Sequence, residues 1–239
     1  MKNLLPFLMR QSFQPGFFGF LINPFFLIRA PLFKKIELLS KQLKGNLLDF
    51  GCGRKPYENL FVVDSYVGVD VRISGHDHRN SKIDVFYDGK VLPFPDECFD
   101  SLISFEVLEH VFNPDQIMLE LNRVLKTNGR ILISVPFCWN EHEIPFDYAR
   151  YSSFGIKSLL ERHGFDVLEV HKTGNFFLVI IQLVILSIFE LFKPLRRAGF
   201  VLTLLFSIPL SLIGFVVWKI PVNNPEMYFN TVILAKKRK

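Results

Sequence analysis

The chain reads as an α/β fold built on a mostly parallel sheet. Short apolar runs suited to buried strands recur, helical stretches with cap residues separate them, and several runs end in an acid or a glycine. Strands are expected at 46–50, 66–70, 83–87, 100–104, 130–135, 166–171 and 229–235, with helices near 34–44, 114–126 and 153–163. The first strand, Asn46-Leu47-Leu48-Asp49-Phe50, closes on a carboxylate and runs into Gly51-Cys52-Gly53, whose missing side chains let the backbone approach a ligand. The second, Tyr66-Val67-Gly68-Val69-Asp70, also ends in an acid, where a nucleoside ribose finds a hydroxyl partner. Asn113-Pro114 is expected to start the second helix and Asn128-Gly129 to stop it, and Gly164 after His163 to close the third.

A dinucleotide reading needs a third glycine three residues past Gly53, where the chain instead has Pro56 after Arg54 and Lys55. Several motifs in order point elsewhere: Asp49-Phe50-Gly51-Cys52-Gly53, Asp70, Asp88-Gly89-Lys90-Val91-Leu92-Pro93-Phe94, Phe99-Asp100 to Ser104, Glu106-Val107-Leu108-Glu109-His110, and Arg123-Val124-Leu125-Lys126 before Gly129. From about residue 45 to 172, and again near 228, the chain resembles the class I S-adenosylmethionine-dependent methyltransferases. The resemblance implies a Rossmann-like seven-stranded sheet in the order 3-2-1-4-5-7-6, its last two strands antiparallel neighbours, and S-adenosylmethionine as cofactor. A tight hairpin normally joins those strands; here more than fifty residues intervene.

Carried over residue by residue, the resemblance places Asp49, Gly51 and Gly53 under the methionine part of the cofactor, with Asp49 toward its ammonium group. Asp70, with Val71 beside it, would take the ribose hydroxyls, and Asp88, with Gly89, the adenine amino group. Asp84 is an alternative for that last contact, and Asp88 is equally a turn residue. Phe105 and Glu106 would border the methionine and sulfonium.

The segment from Pro136 to Tyr151 follows the fifth strand, where open α/β sheets place ligands, and is dense in groups that titrate. His142 is expected as the base, with Asp147 and Tyr151 as further catalytic candidates; a structural histidine is the plain alternative. Glu143 and Arg150 are expected on the substrate, the guanidinium fork suiting a phosphate or carboxylate. His110 reads as packing at a helix start, and the His76/His78 pair lacks the cysteines or carboxylates of a metal centre, so no metal is expected.

At 239 residues, 49% of them hydrophobic, the chain suits one α/β domain with an extra element. The net charge of +5 comes from scattered basic residues with clusters at Lys34-Lys35, Lys193 to Arg197 and Lys236 to Lys239. Beside apolar segments such clusters suit anionic headgroups better than nucleic acid, and no nucleic-acid partner is expected. Cys52, Cys98 and Cys138 read as unpaired thiols.

Two nearly unbroken apolar stretches, Phe176 to Phe192 and Phe200 to Trp218, flank Lys193-Pro194-Leu195-Arg196-Arg197. Three placements are open for this hairpin: dipping into or lying in one leaflet, crossing the bilayer twice, or forming a soluble interface. A full crossing would put the basic turn on the far side, against the positive-inside tendency. The phenylalanine-rich N-terminus, broken by Pro15, Pro24 and Pro31, lacks a cleavage site and reads as an interfacial segment or a cap over the substrate site. The expected parts are an N-terminal segment 1–43, a methyltransferase domain of 44–175 plus 223–239, and a hairpin of 176–222.

Methyl transfer at the cytoplasmic face of a membrane follows. The segment from His142 to Tyr151 is similar to that of bacterial methyltransferases encoded with glycan biosynthesis, which implies a hydroxyl of a lipid-linked sugar or other amphiphile as acceptor. A quinone, a phospholipid, or a non-catalytic scaffold on the same fold are the alternatives.

Overall fold

The computed structural model describes residues 4–72, 81–218 and 226–239. The chain divides into two compact units: Met1–Lys35 with Lys172–Phe229, and Ile36–His171 with Asn230–Lys239.

The second unit is built on the sheet. β1 (Asn46–Phe50), β2 (Ser65–Val71), β3 (Val85–Tyr87), β4 (Phe99–Phe105), β5 (Leu125–Pro136), β6 (Phe165–Lys172) and β7 (Asn230–Lys237) form one seven-stranded sheet in the order β3-β2-β1-β4-β5-β7-β6. Strands β1 to β5 pair in parallel and β7 runs antiparallel to β5, as the resemblance implies. Leu47, Leu48 and Phe50 of β1 are all buried because a central parallel strand is covered on both faces. β6 at the edge alternates in burial, so every second side chain can be polar.

Helices α3 (Pro114–Val124) and α4 (Ser153–Arg162) bury Ile117, Met118, Leu121 and Val124, and Ile156, Leu159 and Leu160, the three-and-four spacing of a covered helix face. Pro114 opens α3 without a side-chain cap from Asn113, whereas Ser152 Oγ accepts from Gly155 N at 3.1 Å to cap α4. Gly164, at φ +83°, stops α4 as expected.

Asn128-Gly129 does not end α3. The helix stops at Val124, and Leu125 already pairs with Phe99 of β4 across an irregular register. The dipeptide lies inside β5, where Asn128 takes φ +66° and absorbs the extra residues as a bulge. The first long helix also starts earlier than expected: α2 runs Phe26–Ser40 with Pro31 inside it. Burial of Leu27, Ala30, Leu32, Ile36 and Leu39 outweighs the roughly 3 kcal/mol a helical proline costs.

In the first unit, α1 (Leu4–Phe13) precedes the chain leading into α2, which packs with a helical hairpin, α5 (Phe176–Phe192) and α6 (Arg196–Val217). Asn175 caps α5 by accepting from Leu178 N at 3.0 Å, and Arg196, at φ +54°, makes the turn. The two helices are antiparallel: the Phe192 and Phe206 rings stack at 5.8 Å near the turn, and at the far end a Cβ on Gly214 would lie 3.4 Å from Leu178 Cδ2. Gln182 Nε2 donates to Pro24 O at 3.0 Å, and Phe17 and Phe25 meet Phe215 and Phe189 edge-on.

The polarity of α6 is inverted. α6 buries Gly199, Thr203, Ser207, Ser211 and Gly214 at helical spacing, while Val201, Leu205, Ile213 and Val216 face outward. Small residues let helix backbones close together, so packing and not apolarity sets the buried stripe.

Candidate active site

The carboxyl ends of β1, β2 and β4 converge on the glycine turn. Gly51 and Gly53 both have left-handed backbones, φ +74° and +46°. A Cβ on Gly51 would come within 2.4 Å of Val107 Cγ2, whereas one on Gly53 would meet nothing within 4 Å among the described residues. The backbone at Gly53 is thus open to approach by a ligand.

Asp70 ties the turn to β2, its Oδ2 accepting from Gly53 N at 3.0 Å and its Oδ1 from Val71 N at 2.8 Å. Asp49 is buried and accepts from Tyr66 Oη at 2.6 Å. Burial pushes its carboxyl up to about 7, the Tyr66 bond and Lys55 opposing only in part.

Asp84 and Asp88 differ in their commitments. Asp84 Oδ2 accepts from Lys55 Nζ at 2.5 Å and Gly68 N at 2.6 Å, so it braces β2. Asp88 is exposed and its Oδ1 accepts from Lys90 N and Val91 N, a turn that leaves Oδ2 outward, beside Gly89 at φ +81°. Phe105 ends β4 with its ring against Tyr57 and Phe61. Glu106 follows at φ +55°, its two oxygens accepting from Ser134 Oγ and Asn230 Nδ2, each at 2.7 Å.

The loop after β5 folds back onto the turn Leu108–His110. Tyr148 N and Ala149 N both donate to Glu109 O, and the rings of His110 and His142 meet edge-on at 4.7 Å. His142 Nδ1 lies 3.2 Å from Asp147 Oδ2, and His142 N donates to the same oxygen at 2.8 Å. Burial raises the Asp147 carboxyl, but Arg150 and the His142 amide outweigh it and hold it down to about 2. His142 is therefore oriented by a permanent anion, the arrangement a general base requires.

Arg150 differs from expectation. Its five N–H groups go to Asp147 Oδ1 and Oδ2 and to the carbonyls of Trp139, Asn140 and Ala149, so it braces the loop and has no fork left for a substrate anion. Tyr151 packs its ring against the buried core, and burial raises its phenol. Glu143, at φ +53°, points its Oε1 to within 3.6 Å of His110 Nε2. His76 and His78 lie outside the described residues.

A family model described as a methyltransferase domain matches residues 27–170, more than half of the chain. The chain belongs to the class I S-adenosylmethionine-dependent methyltransferases. An uncharacterised protein of Methanocaldococcus jannaschii is 34% identical over 107 residues, 42% of this chain and 50% of that protein. A Mycolicibacterium smegmatis protein named for S-adenosylmethionine-dependent methyl transfer is 28% identical over 137 residues, 55% of this chain and 51% of its own. The chain spans about half the length of these curated relatives. Among solved structures, a Haemonchus contortus phosphoethanolamine N-methyltransferase in complex with S-adenosyl-L-methionine has TM-score 0.54 at 17% identity, covering 95% of this chain and 58% of that one. An S-adenosylmethionine-dependent methyltransferase of Mesorhizobium loti has TM-score 0.52 at 13% identity, covering 87% and 98%. These likenesses show the fold.

The methyltransferase's residues fit its family cofactor. A buried carboxyl at about 7 is costly alone and suits an incoming ammonium, and the open backbone of Gly53 beside Asp70 suits a nucleoside. Sequence reasoning missed Tyr66, Lys55 and Asn230. Asn230 is 124 residues from Glu106 and left no local signal, whereas the tyrosine opening the second strand and the lysine in the glycine turn could have been weighed.

Proposed function

We propose that this methyltransferase moves a methyl group from S-adenosylmethionine to a hydroxyl of a lipid-linked sugar or other amphiphilic acceptor at the cytoplasmic face of a membrane. When bound, the cofactor supplies a methyl group already activated on a sulfonium. Asp49 would meet the ammonium, Asp70 with Val71 the ribose, Asp88 with Gly89 the adenine, and Gly51, Gly53, Phe105 and Glu106 the walls around the methionine. His142, held by Asp147, would take the acceptor's proton, with Glu143 facing the substrate. Positioning and exclusion of water then carry much of the rate.

The observation behind the lipid assignment is the hairpin spliced between β6 and β7, whose second helix turns its apolar side outward. The helical stretch Phe176–Val217 is long and apolar enough to cross a membrane, yet only 22% of its most apolar window is buried, unlike a core helix. A water-facing row of Val201, Leu205, Ile213 and Val216 would be costly, and a lipid-facing one is favourable. Lys193, Arg196 and Arg197 stand exposed at the hairpin tip. Basic residues stay at the cytoplasmic headgroups, so the hairpin lies in that leaflet with its basic tip at the surface.

The test is flotation of the full chain with vesicles of phosphatidylcholine and phosphatidylglycerol. The chain is expected to float, and Val201→Glu with Leu205→Glu to abolish flotation while S-adenosylmethionine binding persists. A full chain that stays in the aqueous fraction contradicts the lipid assignment.

A further inference from the structure

Glu109 is fully buried, yet neither of its carboxylate oxygens has a hydrogen-bond partner among the described residues. His110 Nε2 is likewise buried and unpartnered. The other nitrogen, His110 Nδ1, lies 2.8 Å from Phe146 O. A carbonyl only accepts, so Nδ1 carries a proton, and the neutral imidazole has its lone pair on Nε2. That lone pair faces Glu109 Oε1 at 3.7 Å and Glu143 Oε1 at 3.6 Å.

His142 repeats the pattern. Its Nδ1 lies 3.2 Å from Asp147 Oδ2 and 3.4 Å from Asn140 O, which places a proton there and leaves Nε2 of the neutral ring as the lone-pair atom. Arg150 Nη2, 3.5 Å away, is already given to Asp147 and Asn140. One donor atom from each of Glu109, His110 and His142 lies within 4.8 Å of the others.

Burying the Glu109 carboxyl and His110 Nε2 side by side, with no donor to either among the described residues, is costly unless something positive lies among them. A shared proton would draw 3.6–3.7 Å in to hydrogen-bond length. The 3.7 Å between Glu109 and His110 instead approaches the roughly 3.4 Å between ligands on a tetrahedral ion with bonds near 2.1 Å, and the His142 atom lies within 4.8 Å of both. A carbonyl behind one imidazole and a carboxylate behind the other are the outer partners that metal-bound histidines keep. Glu106 and Glu143, both non-glycine residues at positive φ, flank the cluster, and strain of that kind gathers at working sites.

We propose that Glu109, His110 and His142 bind a divalent cation, with Phe146 O and Asp147 orienting the two imidazoles. Two imidazoles and one carboxylate suit zinc, manganese or iron(II) better than calcium or magnesium, which prefer oxygen alone. Binding of the ion stands on this geometry; its role rests on the methyl-transfer reading. A hydroxyl coordinated there would lose its proton to solvent at lower pH, so with the ion bound the metal takes over the deprotonation that His142 performs in the metal-free reading, and His142 serves as a ligand.

The experiment strips the full chain in detergent with a chelator and titrates it with zinc chloride by calorimetry and manganese chloride by electron paramagnetic resonance, both without S-adenosylmethionine. One ion per chain is expected. Asp147→Asn should weaken binding roughly 10- to 100-fold, and Glu109→Gln should weaken it further. His171→Ala, whose ring pairs with Glu169 away from the cluster, should not. If Glu109→Gln fails to fold, His142→Ala, at a partly exposed position, reads the same loss. No binding of either metal, or binding that survives both Glu109→Gln and His142→Ala, overturns the proposal. S-adenosylmethionine binding by the stripped chain, measured in parallel, separates failure of the ion site from failure of the methyltransferase reading.

Discussion

Acidification should weaken S-adenosylmethionine binding steeply, because the carboxyl assigned to its ammonium titrates in the physiological range. Burial holds Asp49 up to about 7 in the free protein, against an ordinary 3.8. Only the ionised form attracts an ammonium, and its fraction falls from about 0.5 at pH 7 to about 0.03 at pH 5.5, so affinity should drop about 15-fold across that window. The window lies below the titration of an α-amino group at about 7.7–8.0, so the ligand keeps its charge throughout. The assay is calorimetry at several pH values in two buffers of different ionisation enthalpy, which also counts the proton released as Asp49 ionises. Tyr66→Phe removes a hydrogen bond that favours the carboxylate, so it should move the profile to higher pH. The free protein should show the opposite trend. An acid raised on folding binds more protons folded than unfolded between about 3.8 and 7, so stability falls as pH rises through that range. Affinity that stays flat from pH 5.5 to 7, or a profile that Tyr66→Phe shifts downward, refutes the placement of the ammonium at Asp49.

Further outcomes follow from the same geometry. Asp70→Ala removes the acceptor for Gly53 N and Val71 N and should abolish measurable cofactor binding, read by calorimetry. His142→Ala should leave cofactor affinity within about twofold and cut turnover roughly 10²- to 10⁴-fold, read by single-turnover methyl transfer. Arg150→Ala strands the buried Asp147 carboxylate and should cost about 3 kcal/mol in a denaturant melt. Gly51→Ala meets both a left-handed backbone and the Val107 side chain, and should lower the melting temperature and the cofactor affinity together.

The sheet was legible because its signals are local. The Asn46–Phe50 run, the acids at Asp49 and Asp70 and the glycines between them sit within one strand and one turn of each other. Boundaries failed where tertiary contacts outvoted local chemistry: Leu125 joined β4 before Asn128-Gly129 could stop a helix, and buried apolar residues carried α2 through Pro31. On the acceptor side, the segment was found from its density of titratable groups, but the roles within it depend on pairings that spacing does not show. Arg150 looked like an anion receptor until its donors were counted against Asp147 and three carbonyls. Glu109 stood in plain view in the Glu106 to His110 motif, and only its burial without partners marks it out.

The most direct measurement of the account supplies S-adenosylmethionine labelled on its methyl group to the full chain with vesicles carrying a bacterial lipid extract, and partitions the products between chloroform and water. Label in the chloroform-soluble fraction, absent with Asp70→Ala, is the predicted result, and mass spectrometry of the labelled species then identifies the acceptor. Label confined to water-soluble products would contradict delivery of the acceptor by lipid, and no label in either fraction with the cofactor bound would contradict methyl transfer to these lipids.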